Sequence, residues 1–155
     1  MRAVVQRVTQ AYVEVAGEVT GRIEKGLLVY VGVGVGDTGE DARWLAGKIA
    51  NLRIFTDGQG RLNRSALDVG GEVLAISNFT LLADARKGRR PAFVAAADGA
   101  AAEPIHRAFL DALQSAGVPV STGIFGAEMT IHSQADGPVN LVIDSPQAGA
   151  SRAPD

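Results

Sequence analysis

The chain of 155 residues contains no cysteine. This absence excludes a disulfide framework, a thiolate nucleophile and a zinc-thiolate site. The sequence also has no apolar run of about 20 residues, the length that a membrane-spanning helix needs. Arg2, Gln6 and Arg7 interrupt the first apolar segment, which differs from the pattern of a secretory signal peptide. We therefore expect a cytoplasmic protein with no membrane partner.

Signals for metals and nucleotide cofactors are missing as well. The Asp, Glu and His residues show no metal-ligand spacing. The glycine-rich segment 32–36 lacks the complete dinucleotide fingerprint and the Lys-Ser/Thr ending of a phosphate loop. The formal net charge of −2 argues against a generic coat for DNA or RNA, which needs a dominant positive field. A nucleic-acid partner would have to bind through a local patch.

Length and hydrophobic pattern predict one mixed α/β domain. A chain with 46% hydrophobic residues and this length buries roughly two-thirds of its unfolded surface. Short apolar or alternating segments separated by turn residues predict many strands. The continuous apolar run 26–34 predicts a strand that is covered on both faces. The predicted strands are 2–9, 12–16, 19–23, 26–34, 73–76, 118–125, 127–133 and 139–143.

Two longer segments have helical spacing. Capping and acidic residues at 37–41 precede apolar residues three or four positions apart, which predicts the start of a helix. A second helix is predicted over 100–116, with Pro104 in its first turns and Gly117 as its stop. The apolar positions are Ala42, Leu45, Ile49 and Leu52 in the first helix and Ile105, Phe109 and Leu113 in the second.

Two short motifs are the most informative local features. Ser77-Asn78-Phe79-Thr80-Leu81 follows the apolar strand 73–76 and places hydroxyls, an amide and a ring at its tip, where ligand sites of α/β sheets form. Gly137-Pro138 lies between two predicted strands, which predicts a tight turn with a fixed proline φ in which the Gly-Pro bond can be cis. Each motif alone is equally typical of an ordinary turn.

The sequence shows few acid–base candidates. His106 lies beside the apolar stripe of the second predicted helix, and we expect it at the surface or the boundary of the core. His132 lies in a predicted strand, and neither histidine belongs to a recognisable triad pattern. The hydroxyls and backbone N–H groups of the strand tip remain, and these groups suit the stabilisation of an oxyanion.

One basic segment, 86–90, stands out in this slightly acidic chain. Arg86, Lys87, Arg89 and Arg90 place four cations in five residues, shortly after the strand tip. The segment is either a solvated loop or a phosphate clamp for a single-stranded nucleic acid. Phosphate contacts position a nucleic acid without reading its sequence.

The two motifs, in this order, resemble those of the D-aminoacyl-tRNA deacylase family. The resemblance runs from residue 1 to about 144 and includes Asn78, Ala135 and Asn140 as departures, where the family mostly has Gln, Asn and Thr. Further segments that resemble the family are 1–8, 26–33, 53–55, 88–93 and 122–129.

The resemblance implies a barrel-like mixed sheet with two main helices in a deacylase domain, 1–145, and we expect a flexible tail over 146–155. It also implies a cofactor-free homodimer with its active site at the subunit interface. The expected reaction is hydrolysis of D-aminoacyl-tRNA, and of glycyl-tRNA mischarged on tRNA-Ala. Two alternatives stay open: a paralogue that edits a mischarged L-aminoacyl-tRNA through a trans Gly-Pro, and a non-catalytic tRNA-binding protein.

The resemblance also implies roles for single residues. Phe79 and Thr80 would face the ester, and Ser77 would support them. Gly137 and Pro138 of the partner, joined by a cis peptide bond, would hold the α-amino group and exclude an L side chain. Asn78, Met129 and Arg7 complete the expected substrate-binding set. Arg7 is either a brace for the Gly-Pro loop or a solvated strand arginine, and Thr80 is either a nucleophile or a group that orients water.

Overall fold

The computed structural model describes residues 1–146, and a six-stranded mixed sheet forms their centre. The elements are, in chain order, β1 (Arg2–Val15), β2 (Glu18–Ile23), β3 (Gly26–Gly32), α1 (Gly39–Asn51), β4 (Phe55–Thr56), β5 (Leu62–Arg64), α2 (Ala66–Val69), β6 (Glu72–Ser77), α3 (Gly99–Ser115), β7 (Val120–Thr122) and β8 (Thr130–Asp144). A 3₁₀ turn, Phe79–Leu82, follows β6.

The sheet is organised around β1. On one edge β1 pairs with β8 along nearly its whole length, and on the other it pairs with β3 and then with β2, always antiparallel. From β3 the sheet continues through β6 to β7 in parallel. Gly21 of β2 lies so close to β7 that a Cβ atom there would be 2.6 Å from the carbonyl oxygen of Thr122. The two ends therefore meet, and the sheet nearly closes into a barrel.

Apolar side chains fill both sides of this sheet. One cluster lies between the sheet and the long helices, and a second lies inside the barrel. Successive residues of β3 point alternately into these clusters: Leu27 and Val29 into the first and Leu28 into the second. The prediction that this strand is covered on both faces is confirmed.

The two predicted helices are present, with starts and stops close to those expected. Thr38 and Asp41 form a capping box at the N-terminus of α1. In α3, Asp98 accepts a hydrogen bond from the Ala101 N–H, and Gly117 with φ +91° follows the helix, so the predicted stop is confirmed. The spacing arguments succeed because both helices bury one apolar stripe against the sheet. The short α2 and the 3₁₀ turn were not predicted.

Two strand predictions were wrong. The predicted break after residue 9 does not exist, because β1 continues through Gln10 opposite β8. The tight turn predicted at Gly137-Pro138 is also absent, since β8 runs through it. Val8 pairs with Ala135 and Gln6 with Asn140, so residues 136–139 bulge opposite the single residue between Gln6 and Val8. Proline lacks an N–H and cannot continue the ladder there, whereas the pairing resumes on both sides.

The Gly137–Pro138 peptide bond is cis, as the sequence predicted. In the described part of the chain, no helix is long and apolar enough to cross a membrane. The predicted domain limit at 145 stays untested, and the tail predicted over 146–155 lies outside the described residues except for Pro146.

Candidate active site

A pocket of about 540 Å³ opens at the C-terminal end of β6. Its walls come from β3, β6, the first two turns of α3 and the segment 125–131. Parallel pairing brings the ends of β3 and β6 together, with Val31 opposite Ser77, so both strands deliver their last side chains to this pocket. A ligand site at the carboxyl ends of neighbouring parallel strands is what open α/β sheets commonly form.

Four of the predicted site residues line this pocket: Ser77, Asn78, Phe79 and Met129. Thr80 is the next residue of the 3₁₀ turn and is exposed. The turn begins here because the N–H of Asn78 donates to the carbonyl oxygen of Val31 at 2.8 Å, which holds the end of β6 against β3.

The Asn78 side chain caps the 3₁₀ turn. Its Oδ1 atom accepts one hydrogen bond from the Thr80 N–H at 3.1 Å and another from the Thr80 hydroxyl at 2.5 Å. The first N–H groups of a helical turn have no intrahelical acceptor, and Asn78 satisfies that of Thr80. The N–H of Phe79, the first residue of the turn, is not satisfied in this way. Within residues 1–146 no acceptor lies at hydrogen-bond distance of the Phe79 N–H, so this donor stays available to a ligand.

The Thr80 hydroxyl is not activated as a nucleophile by these contacts. Its proton points to an amide oxygen, which is a hydrogen-bond acceptor but not a general base. Among the described residues, its hydrogen bonds include no imidazole, amine or carboxylate. An unactivated hydroxyl is a weak nucleophile. The arrangement leaves the Thr80 oxygen free to accept a hydrogen bond from a water molecule.

His106 was expected at the surface or the core boundary, and this expectation was wrong. The side chain is only 4% exposed, lines the pocket and packs near Phe109 and Phe125. Burial lowers the pKa of His106 from 6.5 to about 4, because the charged imidazolium is poorly solvated there. Among the residues that the structure describes, its Nδ1 atom has no hydrogen-bond partner. The spacing of Ala102, His106 and Phe109 along one helix face was the signal that could have predicted its burial.

Tyr30 is a further pocket residue that the sequence did not indicate. It lies near the end of β3 and is half-buried. Burial raises the pKa of the Tyr30 phenol, since the phenolate is disfavoured in an apolar wall. At neutral pH the pocket therefore contains a neutral imidazole and a neutral phenol, and neither of these two side chains supplies a charge. No group of His, Asp and Glu within residues 1–146 is arranged to hold a metal ion.

The Gly-Pro bulge lies elsewhere, opposite Arg7 of β1. The Arg7 side chain is buried, so it is not a solvated strand arginine. Its Nη1 atom donates to the carbonyl oxygen of Ile54 at 2.6 Å, and its Nε atom lies 2.9 Å from the Asp136 carboxylate. The latter contact is an ion pair and not an aligned hydrogen bond. A Cβ atom on Gly137, whose φ is +122°, would lie 3.2 Å from Arg7 Nη2. Arg7 thus packs directly against the bulge.

Within one chain, the bulge and the pocket are separate. Gly137 and Pro138 are exposed, and neither they nor Arg7 line the pocket. The structure therefore brings together one part of the predicted substrate-binding set and leaves the other part on a different surface.

The basic segment 86–90 is fully exposed. The Arg86 side chain donates two hydrogen bonds, of 2.9 and 2.7 Å, to the Asp84 carboxylate. These bonds hold the pKa of that carboxyl below its usual range. Within residues 1–146, Lys87, Arg89 and Arg90 have no carboxylate at ion-pair distance. Three cations of the segment are thus available to a ligand.

His132 lies away from the pocket. Its ring stacks on Tyr12 at 4.3 Å, and its Nε2 atom is 3.4 Å from Glu14. Arg22 covers the Tyr12 ring at 4.5 Å. This is a surface stack that joins β1, β2 and β8.

Known proteins resemble this chain along nearly its whole length. The family model described as D-Tyr-tRNA(Tyr) deacylase matches residues 4–144. A D-aminoacyl-tRNA deacylase of Chloroflexus aurantiacus is 57% identical over 145 residues, which cover 94% of this chain and 91% of that protein. A D-aminoacyl-tRNA deacylase of Thermus aquaticus is 53% identical and covers 98% of this chain and 100% of its own length.

Solved structures agree with this result. A structure titled c-Myc DNA Unwinding Element Binding Protein superposes with a TM-score of 0.88 at 39% identity, over 94% of this chain and 99% of that one. A probable eukaryotic D-amino acid tRNA deacylase superposes with a TM-score of 0.78 at 19% identity, which supports the fold alone. The family match from end to end, together with relatives that are more than half identical, shows that this chain belongs to the D-Tyr-tRNA(Tyr) deacylase family.

Proposed function

We propose that this chain hydrolyses the ester bond of D-aminoacyl-tRNA and releases the free D-amino acid and the tRNA. The observation that carries the proposal is the 3₁₀ turn at the tip of β6, which presents the Phe79 N–H beside a pocket of about 540 Å³. The names of the relatives that match the whole chain supply the substrate class. A tRNA substrate also assigns the reaction to the cytoplasm.

The chemistry needs positioning more than strong acids and bases. Water attacks the ester carbonyl carbon, the bond from that carbon to the ribose oxygen breaks, and a proton passes to the leaving oxygen. Negative charge develops on the carbonyl oxygen in the transition state, where a preorganised N–H stabilises it. The Phe79 N–H is suited to this role. The Thr80 oxygen, whose own proton is directed to Asn78, would accept a hydrogen bond from the attacking water.

The second element of the proposal is a site shared by two chains. The Gly137-Pro138 bulge is exposed and braced by Arg7, and it lies outside the pocket of its own chain. A two-fold dimer would allow each bulge to reach the pocket of the partner. There its carbonyl groups would hold the α-amino group and leave no room for an L side chain. Glycine has no side chain, so glycyl-tRNA mischarged on tRNA-Ala would also be accepted.

The third element is the basic segment. With Arg86 paired to Asp84, the cations that would contact tRNA phosphates are Lys87, Arg89 and Arg90. Such contacts are independent of sequence and suit an enzyme that accepts many tRNAs.

Deacylation of D-Tyr-tRNA compared with L-Tyr-tRNA tests the activity. We expect hydrolysis of the D ester and little hydrolysis of the L ester. Preferential hydrolysis of the L ester would instead support an editing paralogue. Binding of tRNA without hydrolysis of either ester would support a non-catalytic tRNA-binding protein.

Mixing two inactive variants tests the shared site. Phe79→Pro damages only the pocket, and Gly137→Ala damages only the bulge, where a Cβ would lie 2.9 Å from Val139. After denaturation and refolding together, half of the dimers are mixed and each mixed dimer has one intact site, so roughly a quarter of the wild-type activity should return. A mixture that stays inactive, or a wild-type protein that sediments as a fully active monomer, contradicts the shared site.

A further inference from the structure

Two exposed aromatic rings lie side by side at the mouth of the pocket. Phe79 is 56% exposed and Phe93 is 37% exposed, unlike the fully buried Phe55 and Phe109. The centroids of Phe79 and Phe93 are 5.1 Å apart, and their planes meet at 67°. In an edge-to-face pair the two rings overlap less than in a parallel stack. The pair thus leaves aromatic surface available at the mouth of the pocket.

Backbone hydrogen bonds fix the position of Phe93 next to the basic segment. The backbone groups of Asp84 and Ala92 form two reciprocal hydrogen bonds, of 2.7 and 2.9 Å. These bonds close segment 85–91 into a loop whose two ends lie next to each other. Phe93 follows directly. Its carbonyl oxygen accepts from the Ala96 N–H, and the carbonyl oxygen of Ala95 accepts from the Val35 N–H. Phe93 therefore lies on a backbone segment that hydrogen bonds hold in place, and not at the tip of the exposed loop.

The three features lie in a definite order. Phe79 lines the pocket, whereas Phe93 does not and lies beyond it. The basic segment joins the chain immediately before Phe93. A strand of nucleic acid that leaves the pocket would pass the Phe93 ring and then reach the exposed cations. Basic side chains interleaved with exposed aromatic rings are the usual binding surface for single-stranded nucleic acids.

We propose that Phe93 stacks on the unpaired base that precedes the terminal adenosine of the tRNA, while Lys87, Arg89 and Arg90 contact the neighbouring phosphates. This inference rests on the proposed function, because that function puts the ester at the strand tip. Every base has a π face, so stacking holds any acceptor end without selecting a sequence. The occupant is RNA and not an apolar protein surface, since the basic segment lies next to Phe93 in the chain, has three cations without an ion-pair partner within residues 1–146, and matches a polyanion.

Kinetics with two substrates test the proposal. The first substrate is D-Tyr-tRNA, and the second is 3′-O-(D-tyrosyl)adenosine, which carries the ester but no preceding base. For Phe93→Ala, we expect the KM for D-Tyr-tRNA to rise about tenfold, since one stacked base contributes within the range of such an effect. The kcat should change less than about twofold, because this contact is equal in ground state and transition state. The kcat/KM for the adenosine ester should not change.

Matched variants separate stacking from folding and from apolar burial. Phe93→Trp keeps a flat ring and should retain the wild-type KM. Phe93→Leu keeps apolar volume without a π face and should behave like Phe93→Ala. Val94→Ala changes the adjacent side chain, which is 88% exposed, and should have no effect.

The salt dependence of tRNA affinity separates the ring from the cations. Phe93→Ala should leave this salt dependence unchanged, whereas Arg89→Ala with Arg90→Ala should flatten it by about 0.7 log units for each phosphate that is no longer bound.

Several outcomes would overturn the stacking role. These are a wild-type KM for Phe93→Leu, an equal loss on both substrates, or dissociation of a dimer by Phe93→Ala, which would show that a second chain covers the ring. If the wild-type protein hydrolyses no D-Tyr-tRNA, the proposed function fails by itself. Stacking is then decided by direct binding of uncharged tRNA to Phe93→Leu and Phe93→Trp, where equal affinities contradict it.

Discussion

The strand tip at 77–80 and the Gly-Pro bulge at 136–138 are built by opposite means. At the tip, the Asn78 side chain bonds the backbone and the hydroxyl of a residue two positions away. At the bulge, Arg7 joins Asp136 and the carbonyl oxygen of Ile54, which are remote from each other in sequence. The capping of the tip depends on neighbours in the chain, whereas the bulge depends on the assembled sheet.

Because of this difference, substitutions at the tip and substitutions at the bulge should change different properties of the protein. A change at the exposed tip disturbs little packing, so it should alter catalysis with little effect on stability. A change at the buried Arg7 leaves polar groups without partners in the sheet, so it should lower stability as well as activity. Single substitutions at the tip, in the core and at the bulge test this separation.

Phe79→Pro should reduce kcat by about 10²–10³, or about 3–4 kcal/mol, because it removes the N–H proposed to stabilise the oxyanion. Proline is tolerated at the first position of a helical turn, so the fold should remain. The matched control is Phe79→Ala, which loses the ring but keeps the N–H and should retain most of the kcat. Single-turnover hydrolysis of D-Tyr-tRNA measures both. Equal losses in the two variants would assign the effect to the ring and not to the backbone.

His106 should make the protein less stable in acid. The pKa of His106 is about 4 in the folded protein and 6.5 in the unfolded chain. Between these two pH values, the unfolded chain therefore binds a proton that the folded protein does not bind. The free energy of unfolding is unaffected above pH 6.5 and should fall by about 3 kcal/mol as the pH drops to 4.

Urea denaturation of the wild type and of His106→Phe at pH 7.5 and 4.5 measures this contribution. The variant keeps a ring of similar size and should lose that part of the acid sensitivity. The same loss of stability in both proteins would assign the acid response to other groups.

Arg7→Met should destabilise the protein by roughly 2 kcal/mol. It leaves the Ile54 carbonyl oxygen and the Asp136 carboxylate without their partner, but the carboxylate is 38% exposed and partly solvated, which reduces the cost relative to a fully buried pair. Arg7→Lys keeps the charge without the guanidinium fork and should lose most of this free energy too. Urea denaturation gives the values. If stability is unchanged while activity falls, the bulge is not held by long-range contacts.

Thr80→Ala should have the smallest effect, a fall in kcat of less than about tenfold. Alanine keeps the Thr80 N–H that Asn78 caps, and no base activates the hydroxyl that it removes. Steady-state and single-turnover hydrolysis of D-Tyr-tRNA by the folded variant check this. A complete loss of turnover, or an acyl-enzyme trapped on the wild-type protein, would establish Thr80 as a nucleophile.

The sequence predicted those parts that depend on nearby residues. The capping pattern at 37–41 and the apolar spacing of the two long helices predicted α1 and α3, because a helix is formed by contacts three and four positions apart. The motif at 77–81 was correctly assigned to the end of a buried strand. Its capping by Asn78 was not foreseen, although an Asn two residues before a Thr is a common local hydrogen-bonding pattern.

The parts that were wrong depend on distant partners. The sequence around Gly137-Pro138 is typical of a turn, and only the ladder with β1 converts it into a bulge inside a long strand. Similarly, the spacing of α3 could have indicated that His106 is buried, but not that Phe125, which is remote in sequence, lies beside its ring. Local patterns do not specify such neighbours.

Residues close in the chain, or motifs taken in order, were sufficient to predict the helices, the buried central strand, the family and the chemical groups of the strand tip. The burial of Arg7 against the bulge, the open N–H of Phe79 and the separation of bulge and pocket within one chain are visible only in the folded protein. Strand pairing and burial join segments that are far apart in sequence, and a local pattern does not specify which segments meet.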